Sequence, residues 1–79
     1  MESIAVHIGF DPGKRRDPGA IVVSDVQQRE QIHYVVRHIE KIPLGTDHIV
    51  AIDRVIEIND SLKTMGHDPQ MFVDVGGIG

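Results

Sequence analysis

Seventy-nine residues allow at most one small domain, and a chain of this size buries only about 60% of the surface its unfolded form exposes. With no cysteine, neither a disulfide framework nor a zinc–thiolate site makes up that deficit, and the plain reading is an intracellular protein. A hydrophobic fraction of 41% excludes a disordered chain, a net charge of −4 speaks against a dedicated basic nucleic-acid-binding module, and one Tyr, two Phe and no Trp speak against a base-stacking single-strand binder.

In chain order, Ile4, Val6, Ile8 and Phe10 alternate with Ala5, His7 and Gly9, which predicts a strand over Ile4–Phe10. Asp11-Pro12-Gly13 ends it with turn chemistry, and the loop runs on through Lys14-Arg15-Arg16-Asp17-Pro18-Gly19. Ala20–Val23 is a short continuous apolar run, the pattern of a strand covered on both faces. Polar Asp25–Glu30 reads as a connection to a third strand over Ile32–Ile39, so the first three strands form an antiparallel meander.

The period changes after Pro43-Leu44-Gly45. Thr46 or Asp47 is placed to cap a helix, Ile52, Val55, Ile58, Leu62 and Met65 recur at helical spacing, and Gly66 suits the left-handed C-terminal position. Met71–Val75 follows as a short apolar strand, again of the doubly covered kind, before Gly76-Gly77-Ile78-Gly79. A helix between the third and fourth strands permits a crossover that lays the fourth parallel to the first. The carboxyl ends of those two strands then face one crevice, where open α/β sheets place their ligands. No apolar run approaches the roughly 20 residues of a membrane span, and Met1-Glu2-Ser3 lacks a basic signal region.

Two aspartates occupy that crevice in this reading. Asp11 ends the first strand and Asp74 lies near the end of the fourth, so their carboxylates are expected to share a divalent cation. Mg²⁺ or Mn²⁺ suits them, because these ions take oxygen ligands and complete their shells with water and phosphate. Taken singly, each aspartate reads first as a turn residue, and the pairing is what raises the metal reading. Asp17 reads as a turn residue with a possible supporting role. Lys14, Arg15 and Arg16 lie where cations meet the phosphates flanking a scissile bond, against the plainer reading of a solvated loop. The histidines do not converge: His33 and His38, five apart, are expected on opposite faces of their strand, and His7, His48 and His67 stand elsewhere. Gly76-Gly77-Ile78-Gly79 lacks the Lys-Ser/Thr of a nucleotide-binding loop and reads as a turn.

The segment Ile8-Gly9-Phe10-Asp11-Pro12-Gly13, followed by Asp17-Pro18-Gly19-Ala20-Ile21-Val22-Val23, resembles the opening of the nuclease domain of phage terminase large subunits. Phe72-Val73-Asp74-Val75-Gly76-Gly77-Ile78-Gly79 is similar to that family's later Asp-x-x-Gly-x-Gly segment. The resemblance implies a ribonuclease H-like α/β fold, with residues 1–79 forming the N-terminal part of such a domain. It also implies a catalytic and metal-binding role for Asp11 and Asp74. The third carboxylate of that family comes from a later segment, so the chain by itself is expected to be inactive. The implied activity is metal-dependent cleavage of double-stranded DNA during genome packaging, in the cytoplasm of a bacterial host. The implied partners are the remainder of a terminase chain or a capsid portal, and the isolated chain is expected to be a homodimer. Asp-Pro-Gly at Asp11 is also similar to Holliday-junction resolvases, which share the fold and metal chemistry. An actin-like or sugar-kinase-type ATP-binding fragment and a non-catalytic assembly module stand as further alternatives. Lys14 occupies the position where the kinase-like families usually carry Thr or Ser.

Overall fold

Alternation of apolar side chains along three long strands, followed by one amphipathic helix, produces two layers in the computed structural model, which describes residues 2–13 and 16–74. The elements are β1 (Glu2–Asp11), β2 (Gly19–Gln28), β3 (Ile32–Ile42), α1 (His48–Thr64) and β4 (Gln70–Val73). They form one mixed sheet in the order β3-β2-β1-β4. β1 and β2 pair antiparallel, as do β2 and β3, while β4 lies parallel to β1. This is the α/β topology expected from the sequence: a meander, a crossover helix and a return to the first strand.

One face of the sheet is covered by α1. Val6, Ile8 and Phe10 of β1, Ile21 and Val23 of β2, and Ile42 of β3 pack against Ala51, Val55 and Ile58 of the helix. Ile8 and Ile21 have no exposed surface at all. The buried stripe of the helix runs through Ala51, Val55, Ile58 and half-buried Leu62; the expected face holds at Val55, Ile58 and Leu62 and differs at its ends, where Ile52 and Met65 are exposed. Ala51 is small enough to bring the first turn onto the sheet, and this turns Ile52 towards the flank.

The helix begins at N-cap Asp47, whose Oδ1 accepts the Ile49 N–H at 2.8 Å. It ends at Met65, and Gly66 follows with φ +94°, where the His67 N–H reaches back to the Leu62 carbonyl at 3.0 Å. Glycine enters this left-handed region without a Cβ penalty. Across the layers, the Arg54 guanidinium donates from Nε and Nη2 to the two carboxylate oxygens of Glu40 at 2.6 and 2.7 Å, tying helix to β3. Arg54 also pairs with Glu57, one turn on.

Four expectations are corrected. Asp25–Gln28 is strand and not a connection: β2 runs on to Gln28, because β1 and β3 flank it there and satisfy its backbone on both sides. Ala20–Val23 and Met71–Val75 are not doubly covered. Ala20 and Val22 are half-buried, and Gln70–Val73 is an edge strand with every residue exposed, because one helix covers one face only. Val75 lies outside the described residues. Finally, His33 and His38 do not face opposite ways. Val23 opposes His38 while Ser24 opposes Val36, and the bulge that leaves Arg37 over restores the side that alternation alone would have changed.

Candidate functional site

The site is built by the register of β1 and β4. Phe10 pairs with Val73, and the ladder continues one step further through the Asp74 N–H, which donates to the Phe10 carbonyl at 2.9 Å. Asp11 and Asp74 therefore stand side by side at the carboxyl ends of adjacent parallel strands, roughly 4.8 Å apart. Phe10 is turned into the helix-covered core, so alternation sends Asp11 to the other, open face. Both aspartates are exposed, and both line one shallow, open cleft of about 410 Å³ with Gly9, Ala20, Val22 and Phe72.

The turn after β1 is held by a tight backbone contact. Oδ1 of Asp11 accepts the Gly13 N–H at 2.8 Å, an Asx turn that fixes the side chain beside the cleft. Gly13 adopts φ +82°, and a Cβ there would lie 2.6 Å from the Asp17 carbonyl oxygen and 2.7 Å from the Gly19 amide nitrogen. A Cβ on Gly19 would lie 2.4 Å from the Asp11 carbonyl oxygen. Asp11-Pro12-Gly13 and Asp17-Pro18-Gly19 thus pack backbone against backbone, and the two glycines make that approach possible. Asp11 is thus both a turn residue and part of the cleft lining.

Asp17 and Arg16 are exposed in the turn that leads into β2. Lys14 and Arg15, and the glycine segment Gly76–Gly79, lie outside the described residues. Among the described residues, no group of three or more His, Cys, Asp or Glu gathers as a metal site. The oxygen donors present are those of the Asp11–Asp74 pair. Their chemistry fits a hard divalent cation of the Mg²⁺ or Mn²⁺ type, with the other coordination positions left to water, substrate or further ligands.

Two features escape a reading of the sequence. The His7 ring lies on the open face 4.8 Å from that of Phe72 and 6.1 Å from that of Tyr34, measured between centroids. The chain's single Tyr and one of its two Phe are thus gathered on one face although aromatic residues are scarce. The sequence signal was the matching parity of His7 and Phe72 in two strands expected to be neighbours, but it needed the register. The second is an apolar pocket of about 240 Å³ on the helix side, where Phe10, Ile52, Val55, Ile56, Met71 and Val73 meet His48. It lies between the first turns of α1 and the edge strand β4.

Two carboxylates elsewhere are held below their ordinary values. The Arg54 hydrogen bonds bring Glu40 from 4.5 down to about 2. Asp25 is lowered first by a hydrogen bond from the Gln27 amide, then by Ser3 and Arg37. Both serve ties between elements, away from the cleft.

No helix is long and apolar enough to cross a membrane among the described residues. Comparison of the chain with protein families, with curated proteins and with solved structures gave no match.

Proposed function

We propose that this chain forms part of a ribonuclease H-like, metal-dependent nuclease of the terminase type. Asp11 and Asp74 hold a Mg²⁺ or Mn²⁺ ion at the carboxyl ends of β1 and β4. The observation that carries the reading is the pairing of two exposed aspartates on neighbouring parallel strands, on one face and in one open cleft. The strand order and crossover support it, since this is the arrangement the resemblance implies. Oδ1 of Asp11 accepts the Gly13 N–H, and the carboxylate keeps further lone pairs for a cation. When bound, such an ion would polarise a phosphodiester and activate water. The chain's own contribution is to fix two carboxylates on rigid strand ends and leave the cleft open to a duplex backbone. Among the described residues no third carboxylate joins the pair, so the expected behaviour is cation binding without turnover of DNA.

Titration calorimetry tests the reading. Mn²⁺ binding that is lost in Asp11→Asn and in Asp74→Asn, with no binding of ATP, is the expected result. Asn preserves the acceptor for the Gly13 amide, so loss of binding reports the charge and not the turn. Binding of ATP would support the actin-like alternative, and binding of neither would leave the assembly module. Robust Mn²⁺-dependent plasmid nicking by the chain, abolished by Asp11→Asn, would contradict the need for a third carboxylate.

A further inference from the structure

Three rows of side chains cross the open face, and the middle row has a gap. At the carboxyl end of β1, Asp11 opposes Ala20, Ala20 opposes Lys41, and Asp74 follows Val73 beside Asp11. The first row therefore reads Lys41, Ala20, Asp11, Asp74. The second pairs Val22 with Gly9 and Gly9 with Phe72, and the third pairs Ser24 with His7 and His7 with Gln70. Carboxylates, apolar groups and polar groups thus follow one another along the strands, roughly 7 Å from row to row.

The gap is at Gly9, and the fold does not require a glycine there. Gly9 is not among the positive-φ glycines, and a Cβ on it would meet nothing nearer than the Val22 carbonyl oxygen at 3.9 Å. The missing side chain leaves a slot walled by Val22 on β2 and Phe72 on β4. Those strands stand roughly 9.6 Å apart, twice the strand spacing, which is room for one flat ring between two side chains. Phe72 is 54% exposed, and its ring is braced by that of His7 at 4.8 Å, which in turn meets Tyr34 at 6.1 Å. Slot and aspartates open into the same cleft of about 410 Å³.

We propose that the slot takes one unpaired nucleobase of a DNA strand, stacked on Phe72, with the phosphate of the same nucleotide at the Asp11–Asp74 cation. The phosphate half rests on the cation reading above, and the base half is new. The rows meet a nucleotide in order: cation for phosphate, aromatic wall for base, then His7, Ser24 and Gln70 with donors and acceptors for the base edge. One sugar separates a phosphate from its own base, and one row separates Asp74 from Phe72. A base inside a duplex has both faces covered by its neighbours, so the nucleotide must first leave the stack. The ligand is therefore a frayed end, a gap or a single strand. Every base has a face to stack, so little sequence preference is expected.

Amide-shift titration of the chain in Mg²⁺ tests this with two probes, a single-stranded thymidine tetranucleotide and the same backbone made abasic. The thymidine probe is expected to bind about tenfold more tightly, the factor one stacked base supplies. Its shifts should centre on Gly9 and Phe72. Phe72→Ala should erase the difference between the probes. Gly9→Val fills the slot and should weaken thymidine binding by a similar factor. Valine forms strands better than glycine, so this variant should melt no lower than the parent, and lost binding then reports the slot. The proposal is overturned if the two probes bind alike, if a duplex of the same length binds more tightly than the single strand, or if Gly9→Val leaves binding unchanged. Mn²⁺ calorimetry separates it from the cation reading. Mn²⁺ binding without a base preference sinks the slot alone. A base preference that vanishes in Phe72→Ala without Mn²⁺ binding supports the slot and sinks the cation. Loss of both sinks both.

Discussion

The two faces of this sheet are made by the same strands and hold residues of the same kinds, yet they differ in every physical respect. Ile21 points towards α1 and has no exposed surface, while Ile39, on the neighbouring strand but the opposite face, is 65% exposed. The helix-covered face is closed by Ala51, Val55 and Ile58 and pinned at its rim by the Glu40–Arg54 pair. The open face carries the cleft, the His7–Phe72–Tyr34 rings and the Lys41–Asp74 row. Between Ile21 and Ile39 burial is therefore set by the covering layer and not by the side chain. Stability resides on one face and the chemistry-bearing groups on the other.

The largest test of this division is a pair of truncations. Ile8→Ala or Ile21→Ala should cost about 2–5 kcal/mol, because each empties a fully buried site. Ile39→Ala should change the stability of the dilute chain by no more than about 0.5 kcal/mol. Urea unfolding measures both, and similar losses at Ile21 and Ile39 would break the comparison. Next in size is Gly13→Ala, at the turn that holds Asp11 on the open face. The left-handed backbone alone costs about 1–3 kcal/mol, and the overlap with the Asp17 and Gly19 backbone adds to it. A thermal melt within a degree or two of the parent would remove the argument for that close approach. On the covered side, Asp47→Ala should cost about 1 kcal/mol through the lost N-cap acceptor, read from the urea midpoint.

The smallest effect concerns pH. Glu40 has a folded-state value of about 2 against an ordinary 4.5, so its carboxylate form favours the folded state. That contribution is fully present above 4.5 and is lost as pH falls towards about 2. Glu40→Gln should flatten stability across this interval while lowering it at neutral pH. The groups are partly exposed and screened, which keeps the effect small. An unchanged acid slope in Glu40→Gln would place the acid sensitivity elsewhere, with Asp25 the next carboxylate to examine because it too is lowered.

Much of the fold was readable because the period of the apolar residues changes once, after Pro43, and because Asp-Pro-Gly and Asp47 mark element ends with specific backbone chemistry. The pairing of Asp11 and Asp74 followed from the crossover, since parallel neighbours must end at the same edge. What the sequence hid depends on partners distant along the chain. Asp25–Gln28 looks like a loop until its flanking strands satisfy its backbone. The bulges at Ile4 in β1 and at Arg37 in β3 shift parity without leaving a mark in composition. Exposure of all four residues of β4 is a consequence of its place at the sheet edge, which an apolar run cannot reveal. The His7 ring cluster and the Lys41–Asp74 row likewise exist only once register is known.

The proposed cation site unites the open-face carboxylates of Asp11 and Asp74. Paramagnetic broadening of backbone amide signals by substoichiometric Mn²⁺ tests it most directly, because it reports location as well as binding. Broadening is expected to centre on Gly9, Phe10, Phe72 and Asp74 and to be abolished by Asp11→Asn. Broadening centred instead on the Glu57 and Asp60 side of α1, or persisting unchanged in Asp11→Asn, would contradict it.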